Sequence, residues 1–330
     1  MHTDSKACQV PVNRVNAGLD KWSYFGIVTG MQSGNVRTEQ RLPDLRGFDT
    51  WDDATILSTL LAGQRRALDA VEQALPAIAE AAGLMVPRIA AGGKLIYAGA
   101  GTSIRVAVQD GSELPATFGM KEDQLAYLIA GGRDAMFDTL ADAEDDIEAG
   151  RRAAETCSAG DVLIAIAASG RTPYTIAAAQ AARTHGCLVI AVVNNTSSPL
   201  AEAADHAILL DSGPEVISGS TRLGAGTAQK AALNLLSTLV HTRLGAIHDG
   251  LMVNVQAGNA KLVRRAAGIV QQITGCDQQR AAEALARTQG HVKLAVLLCA
   301  GAGDLAMAQD ILSQSDGKLR LALSKVSASV

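Results

Sequence analysis

The sequence predicts an α/β protein with a parallel sheet of five strands covered by helices, followed by a small all-helical C-terminal module. Two observations support this fold class. In the middle of the chain short apolar runs alternate with helical stretches, and strands joined by helices form a parallel sheet that is buried on both faces. Beyond Gln256 the strand-like runs stop, and only short amphipathic stretches remain.

Length and composition fit a globular protein with one large and one smaller domain. The chain has 330 residues, of which 48% are hydrophobic and 3% aromatic, so we expect small residues to pack between closely spaced helices. A net charge of −4 and the lack of a dense Lys/Arg run argue against nucleic acid or an anionic membrane as the main partner. No apolar stretch reaches the roughly 20 residues that span a bilayer.

The cysteines and histidines predict neither disulfides nor a metal site. The five cysteines are scattered, odd in number and without a C-x-x-C pair, so we expect reduced, mostly buried thiols in a cytoplasmic protein. The six histidines show no ligand spacing such as H-E-x-x-H.

The elements follow in order from the N-terminus. Residues 1–37 lack periodicity and do not form a secretory signal, so we expect a disordered or over-extended start, with Met31 a candidate initiator. From residue 51 to about 91 apolar residues recur at helical spacing and predict one or two amphipathic helices. The predicted strands are residues 94–98, 126–130, 161–167, 188–194 and 206–210, and a long helix follows from Ala225 to about Leu244.

Short amphipathic stretches that end at glycines predict the helical module. We expect this module to serve packing or dimerisation rather than a separate binding activity. The resulting division is 1–37 for the start, 38–255 for the α/β domain with its N-terminal helices, and 256–330 for the module. The stretches are residues 261–274, 277–287, 292–298, 304–313 and 318–323.

Two predicted strands break into glycine- and hydroxyl-rich turns that open helices. The first turn contains Gly101 and Ser103, and the second contains Ser169, Gly170 and Thr172. Backbone N–H groups and hydroxyls at a helix N-terminus suit a phosphate, so two such turns in one sheet predict a site for an anionic small molecule. The alternative is that Ser103, Ser169 and Thr172 are ordinary helix N-caps.

A nicotinamide dinucleotide does not fit the first turn. Gly99-x-Gly101 begins the dinucleotide fingerprint, but Ile104 occupies the third glycine position. The next strand ends in Gly131-Gly132 rather than in an acidic ribose ligand.

Two carboxylates are candidates for acid and base chemistry. Glu113 lies near the far end of the helix after the first turn, where Pro115 is expected to end that helix, and Glu144 follows the second strand. One carboxylate could abstract a proton next to a carbonyl while the other, protonated, assists a leaving oxygen. The alternatives are a solvated helix-end residue for Glu113 and a helix N-terminal acid for Glu144.

Several ordered motifs together resemble the N-acetylmuramic acid 6-phosphate etherase family, whose members carry a sugar isomerase (SIS) domain. The likeness runs from roughly Thr38 into the helical C-terminus. The motifs are residues 99–103, 110–119, 143–145, 166–174, 219–222, 225–230, 234–238 and 251–253.

This resemblance implies a SIS-type sheet. It also implies that the protein is a cytoplasmic lyase that takes part in recycling the amino sugars of the cell wall. Such an enzyme converts N-acetylmuramic acid 6-phosphate into N-acetylglucosamine 6-phosphate and D-lactate, without a metal or organic cofactor. Ring opening places an aldehyde at C1, which acidifies the C2 proton and allows β-elimination of lactate from C3. The resemblance also implies a homodimer, because the family's site lies near a subunit interface.

Roles for individual residues follow from the same resemblance. Glu113 is expected to protonate the departing lactate and to activate the returning water, and Glu144 to take the C2 proton. For Arg222 we infer, from its charge and not from the resemblance, that it would bind phosphate or stabilise an oxyanion, with a structural ion pair as the alternative. The expected substrate-binding residues are Gly101, Thr102, Ser103, Ser169, Gly170, Arg171, Thr172 and Arg222.

The chain departs from the family pattern at several positions. Ile104 replaces a glycine, which is expected to add bulk beside the ligand loop. Gly224 replaces a lysine, which is expected to weaken phosphate binding or alter the sugar accepted. The family's asparagine is absent near Leu42, and Leu114-Pro115-Ala116 replaces Cys-Pro-Pro.

Two further functions stay open on the sequence. A sugar-phosphate sensor resembling the glucokinase regulatory proteins would bind without turnover, which the departures at Ile104 and Gly224 favour and the presence of Glu113 and Glu144 opposes. An aldose–ketose isomerase would also use a carboxylate base but would not expel lactate. Release of lactate separates the etherase from both alternatives.

Overall fold

The computed structural model describes residues 36–138, 142–196, 198–255 and 260–328. From Val36 onward these residues belong to one compact unit. The expectations for a disordered or over-extended start over 1–37 and for Met31 as initiator fall almost wholly outside the described residues.

The central sheet has five parallel strands in the spatial order β2-β1-β3-β4-β5. Each predicted strand is confirmed, with its ends displaced by at most one residue. This order reverses direction between β1 and β3, and ligands bind at such a switch point in open α/β sheets. The strands are β1 (Leu95–Gly99), β2 (Leu125–Ile129), β3 (Val162–Ala167), β4 (Leu188–Val193) and β5 (His206–Leu209).

Helices cover both faces of the sheet. The N-terminal stretch that was predicted to form one or two helices forms two, α1 (Asp53–Gln73) and α2 (Leu75–Ala90). Together with α3 (Gly101–Phe118) and the long helix, they pack on one face, and three shorter helices cover the other. The shorter helices are α4 (Ile147–Ala153), α5 (Pro173–Thr184) and α6 (Pro199–Ala203), and the long helix is α7 (Gly224–Arg243).

Alternate residues of each strand enter the two apolar layers. In β1, Leu95 and Tyr97 face α1, α2, α3 and α7, whereas Ile96 and Ala98 face the other layer. Because both layers are buried, the three central strands β1, β3 and β4 consist of apolar residues and glycine throughout. The second layer is rich in alanine, which confirms the expectation of close packing by small residues.

The expectation that Pro115 ends its helix is wrong. Helix α3 continues to Phe118 and ends at Gly119, whose φ of 69° is left-handed. Leu114 and Phe118 are both buried in the core on either side of the proline. Burial of these side chains therefore outweighs the loss of one helical hydrogen bond.

The C-terminal module consists of five helices around an apolar cluster of its own. An antiparallel pair of two-residue strands, β6 (Ile247–His248) and β7 (Leu251–Met252), precedes it; strands this short leave no alternating pattern, and the sequence did not predict them. The helices are α8 (Ala260–Thr274), α9 (Gln278–Arg287), α10 (Val292–Cys299), α11 (Leu305–Ser313) and α12 (Leu319–Ala328). Among the described residues, no helix is long and apolar enough to cross a membrane.

Candidate active site

The two glycine- and hydroxyl-rich turns lie side by side at the carboxyl end of the sheet. β1 and β3 are paired neighbours, with Gly99 opposite Ile166, and each strand runs directly into its turn. The first turn opens α3 on one face of the sheet, and the second opens α5 on the other. The site therefore lies at the switch point of the sheet.

Glu144 meets the first turn at Gly101. Gly101 has a φ of +51°, and a Cβ built on it would lie 3.0 Å from Glu144 Oε1. A side chain there would be strained and would crowd the carboxylate, so glycine suits this position. The positive end of α3 attracts the carboxylate of Glu144.

The hydroxyls of the first turn do not cap α3. The N-cap is Ala100 and has no side-chain hydrogen bond, whereas Ser103 lies inside the first helical turn and is 8% exposed. The N-cap alternative is therefore wrong for Ser103. The methyl group of Thr102 lies 3.5 Å from a Cβ built on Gly226, so the first turn of α7 also borders this site.

The second turn is held in one conformation by Gly170. Its φ is +66°, and a Cβ built there would lie 2.3 Å from the Cβ of Ser198. Ser169 Oγ accepts a hydrogen bond from the N–H of Arg171 at 3.2 Å. Thr172 is the N-cap residue of α5, but its side chain makes no capping hydrogen bond. The turn therefore offers a hydroxyl at Thr172 that the helix does not use.

Tyr174 lies directly behind the second turn. Burial and, secondly, the Asp146 carboxylate raise the pKa of this tyrosine to about 12. The phenol therefore stays protonated at neutral pH and is not a candidate base.

Arg105, in the first part of α3, bonds to the chain that follows β2, upstream of Glu144. Its Nε donates to the carbonyl of Met136 at 3.0 Å, and its Nη2 donates to that of Ala135 at 2.9 Å. These bonds hold the 3-10 turn Arg133–Met136, which precedes the turn Ala143–Asp145. Sequence reasoning missed this residue, because no spacing rule links positions about thirty residues apart.

Ile104 points away from the ligand loop. Its side chain is 1% exposed and belongs to the core, with its Cβ 3.4 Å from a Cβ built on Gly99. The expectation that this residue adds bulk beside the ligand is therefore wrong. Ile104 instead packs in the core between α3 and β1.

Glu215 fills the N-terminus of α7. Its buried carboxylate accepts hydrogen bonds from the N–H groups of Gly224 and Ala225, each at 2.9 Å. This end of α7 is therefore already occupied by a negative charge. Gly224 itself is buried, and a Cβ there would lie 3.0 Å from Glu215 Oε2. Sequence reasoning missed Glu215, because it lies outside the helix that it caps.

The two arginines of the site remain exposed. Arg171 and Arg222 make no side-chain hydrogen bond or ion pair with any residue that the structure describes. The structural ion pair considered for Arg222 is therefore not found in this part of the chain. Both guanidinium groups are left able to meet an anion.

A short N-terminal strap, Arg37–Glu39, crosses the same edge of the sheet. The side chain of Asn195, just after β4, accepts from the N–H of Arg37 at 2.7 Å and donates to Thr38 Oγ1 at 3.2 Å. The same amide donates to the carbonyl of Ala168 at 2.9 Å, and the N–H of Gly219 donates to that of Thr38 at 3.1 Å. The strap therefore ties three loops of the site together.

Glu113 lies far from Glu144 within one chain. It is exposed and follows Gly101 by twelve residues along α3, a rise of about 18 Å at 1.5 Å per residue. The structure therefore brings Glu144 to the turns but does not bring Glu113 there.

Known family models match the α/β part and the C-terminal part of the chain separately. Residues 136–239 match the SIS domain, and residues 77–183 match the N-terminal SIS domain of glucokinase regulatory protein. Residues 249–314 match the C-terminal lid domain of glucokinase regulatory protein. Among solved structures, a phosphoheptose isomerase from Francisella tularensis aligns with a TM-score of 0.46 at 20% identity, covering 58% of this chain and 100% of that one.

Curated relatives cover most of the chain. An N-acetylmuramic acid 6-phosphate etherase of Deinococcus radiodurans is 46% identical over 79% of this chain and 87% of its own length. One from Serratia proteamaculans is 43% identical over 89% of this chain and 100% of its own length. With the five-stranded parallel sheet and the SIS match, these identities show that the chain belongs to the N-acetylmuramic acid 6-phosphate etherase family.

Proposed function

We propose that this protein is a lyase that cleaves the D-lactyl ether of N-acetylmuramic acid 6-phosphate. The products are N-acetylglucosamine 6-phosphate and D-lactate. The observation that carries the proposal is the contact of the Glu144 carboxylate with Gly101, between two turns suited to a phosphate. The curated relatives named as N-acetylmuramic acid 6-phosphate etherases support it.

The first half-reaction is an elimination from the ring-opened sugar. Glu144 takes the proton from C2, which the C1 aldehyde acidifies, and the electron pair forms a double bond between C2 and C3. The bond between C3 and the ether oxygen breaks, and Glu113, protonated, gives its proton to that oxygen. D-Lactate leaves, and each carboxyl group has changed its protonation state once.

The second half-reaction adds water to the unsaturated aldehyde. Glu113, now a carboxylate, takes a proton from water as the hydroxide adds at C3. Glu144 returns its proton to C2, so that both glutamates regain their starting states. The two half-reactions together need no oxidant or reductant, because no atom changes its oxidation state overall.

The 6-phosphate is placed between the two turns. Ser103, Ser169 and Thr172 supply hydroxyls, and Gly101, Thr102 and Gly170 allow the backbone to approach closely. Arg171 and Arg222 supply positive charge from the exposed side. Support comes from the uncapped hydroxyl of Thr172 and from two guanidinium groups without partners among the described residues.

Glu113 acts in the site of a second copy of the chain. Its separation from Glu144 by about 18 Å of helix leaves each chain with only one of the two glutamates near its turns. A homodimer is further supported by Leu57, Leu61 and Leu68, which are exposed on one face of α1 at spacings of four and seven residues. A twofold axis would then give two equivalent sites.

The proposed division of the chain into two domains follows its two apolar clusters. The proposal assigns residues 38–255 to the catalytic α/β domain and residues 256–330 to the helical module, and the described residues of the two parts have separate apolar clusters. We place the enzyme in the cytoplasm, in the recycling of cell-wall amino sugars. The four cysteines that the structure describes carry free thiols, which supports a reducing compartment.

The decisive test is release of D-lactate from N-acetylmuramic acid 6-phosphate by the purified protein, with Glu113→Ala as the matched blank. The proposal expects release that the substitution abolishes. Folded protein that binds the substrate without releasing lactate would favour the sensor. Interconversion of aldose and ketose phosphates without lactate would favour the isomerase.

A further inference from the structure

A buried carboxylate lies on the core side of α3, three residues before Glu113. Asp110 is only 6% exposed, and its Oδ2 accepts a hydrogen bond from the hydroxyl of Tyr97 in β1 at 2.9 Å. Its Oδ1 accepts from Asn234 Nδ2 at 2.6 Å and from Ser237 Oγ at 3.0 Å, both in α7. Asp110 therefore joins α3 to the sheet and to the long helix at one point.

The carboxylate of Asp110 is held by hydrogen bonds from neutral groups. Among the described residues, no lysine, arginine or histidine forms a salt bridge with it. Burial of a charge is costly, and an apolar side chain would fill the same core without that cost. Burial raises the pKa of Tyr97 well above its usual value, and the Asp110 carboxylate adds to the shift, so the phenol stays a donor. The network therefore fixes a geometry rather than adding to the apolar core.

Gly111 brings α3 close to the sheet beside this network. A Cβ built on Gly111 would lie 2.6 Å from Tyr127 Oη and 2.8 Å from Tyr97 Cε2. The two tyrosine rings are stacked, with centroids 5.8 Å apart. The hydrogen bonds of Asp110 and the contact at Gly111 thus set both the direction and the distance of α3 relative to the sheet.

The part of α3 that carries Glu113 has few other restraints. Pro115 has no N–H, so it gives no helical hydrogen bond to the carbonyl of Gly111. The Glu113 side chain is exposed and makes no hydrogen bond or ion pair with a described residue. The position of Glu113 is therefore set by the helix backbone, which Asp110 fastens three residues earlier.

We propose that Asp110 is a positioning residue for Glu113, acting through the backbone of α3. The inference rests on the proposed function, in which Glu113 is the acid that protonates the departing lactate. Asp110 holds the helix so that this acid reaches the leaving oxygen. Proton transfer needs hydrogen-bond distance, and a misplacement of about 1 Å is enough to slow it strongly.

The test compares two rates in the full-length protein with N-acetylmuramic acid 6-phosphate as substrate. Release of D-lactate reports the proton transfer assigned to Glu113, and exchange of the C2 proton in deuterated water reports the one assigned to Glu144. Asp110→Asn replaces one acceptor oxygen by an amide, so not all three donors keep their acceptor. We expect kcat for lactate release to fall about tenfold or more, with KM and C2 exchange within about twofold of wild type.

Two further variants keep the test decisive if Asp110→Asn folds poorly. Tyr97→Phe removes one hydroxyl and keeps the ring that stacks on Tyr127, so release should fall about two- to fivefold with exchange unchanged. Asp110→Asn combined with Asn234→Asp moves the carboxylate to α7 and restores a charge-assisted bond between the helices. Release by this double variant should recover to within about threefold of wild type.

Asp161→Asn is the matched control. Asp161 is 4% exposed and also accepts three hydrogen bonds, from the N–H of Lys94 and from the N–H and hydroxyl of Ser158. It precedes β3 at the amino end of the sheet, opposite the site, so this variant should be less stable but keep the wild-type ratio of release to exchange.

The ratio of lactate release to C2 exchange decides the outcome. A wild-type ratio in both Asp110→Asn and Tyr97→Phe overturns the positioning role and leaves the proposed function intact. A wild-type protein that releases no lactate overturns the proposed function, and this inference with it.

Discussion

Glu144 occupies a position that its neighbours define. Its carboxylate lies against Gly101, at the start of α3. Arg105, one turn further along α3, donates hydrogen bonds to the carbonyls of Ala135 and Met136. Glu113, by contrast, is an exposed residue on the third to fourth turn of a helix. The two carboxylates therefore have distinct environments, as an acid and a base with separate tasks require.

Exchange of the C2 proton with solvent separates these tasks. In deuterated water, Glu113→Ala should still exchange the C2 proton but should release lactate about 10²- to 10⁴-fold more slowly, because the leaving oxygen lacks its acid. Glu144→Ala should lose the exchange itself. The measurement is deuterium incorporation by mass spectrometry beside a lactate assay. Equal exchange in both variants would contradict the assignment.

Among the elements, α3 holds several of the residues assigned to the site. Its first turn holds Gly101 and Ser103, its core side holds Ile104, and its last turns hold Glu113. A glycine at position 104, as in the family pattern, would leave a void between α3 and the sheet, because Ile104 is part of the core in this chain. The departure from the family is therefore a matter of packing rather than of ligand contact.

Ile104→Gly tests this interpretation. The variant should lower the free energy of unfolding by about 3–5 kcal/mol, through the cavity and through the low helix propensity of glycine. The matched control Ile104→Val should cost about 0.5–1.5 kcal/mol. Chemical unfolding measures both. A glycine variant as stable as the wild type would show that this side chain is not part of the core.

The regular elements could be predicted because each leaves a local signal. The five strands are apolar runs bounded by glycine or polar residues, and their ends were placed to within one residue. Pro115 misled the prediction because its local penalty is outweighed by burial of Leu114 and Phe118, which only the tertiary structure shows. The contacts of Arg105 with Met136 and of Glu215 with Gly224 join distant segments, so no local pattern revealed them.

At the scale of the whole molecule, a buried histidine couples stability to pH. His241 of α7 stacks on Phe118 at the end of α3, with ring centroids 4.5 Å apart, and its Nδ1 lies 2.8 Å from the carbonyl of Ser237. Burial lowers the pKa of His241 below its usual value of 6.5, although the Ser237 carbonyl opposes the shift. The folded state therefore favours the neutral ring.

Stability should fall as the solution is acidified. Below the unfolded pKa of about 6.5 the unfolded chain takes up a proton at this histidine before the folded chain does, so unfolding becomes easier as the pH drops through 6 towards 5. His241→Gln, which cannot titrate, should show a flatter dependence over the same range. Urea unfolding at several pH values measures both profiles, and parallel profiles would contradict the role of His241.

The separation of the two glutamates along α3 is the reason for the proposal that two paired chains, rather than a single chain, form each catalytic site. The helix α3 acts as a spacer that presents Gly101 at one end and Glu113 towards the other. If two copies pair about a twofold axis, each site combines the Glu144 of one chain with the Glu113 of the other.

Co-expression of Glu113→Ala and Glu144→Ala chains tests this account most directly, with D-lactate release from N-acetylmuramic acid 6-phosphate as the readout. Each variant alone should be inactive. Random pairing makes half of the dimers mixed, and one of the two sites in each mixed dimer is intact, so the mixture should recover about a quarter of wild-type activity. A mixture as inactive as its two components would contradict a site shared between chains.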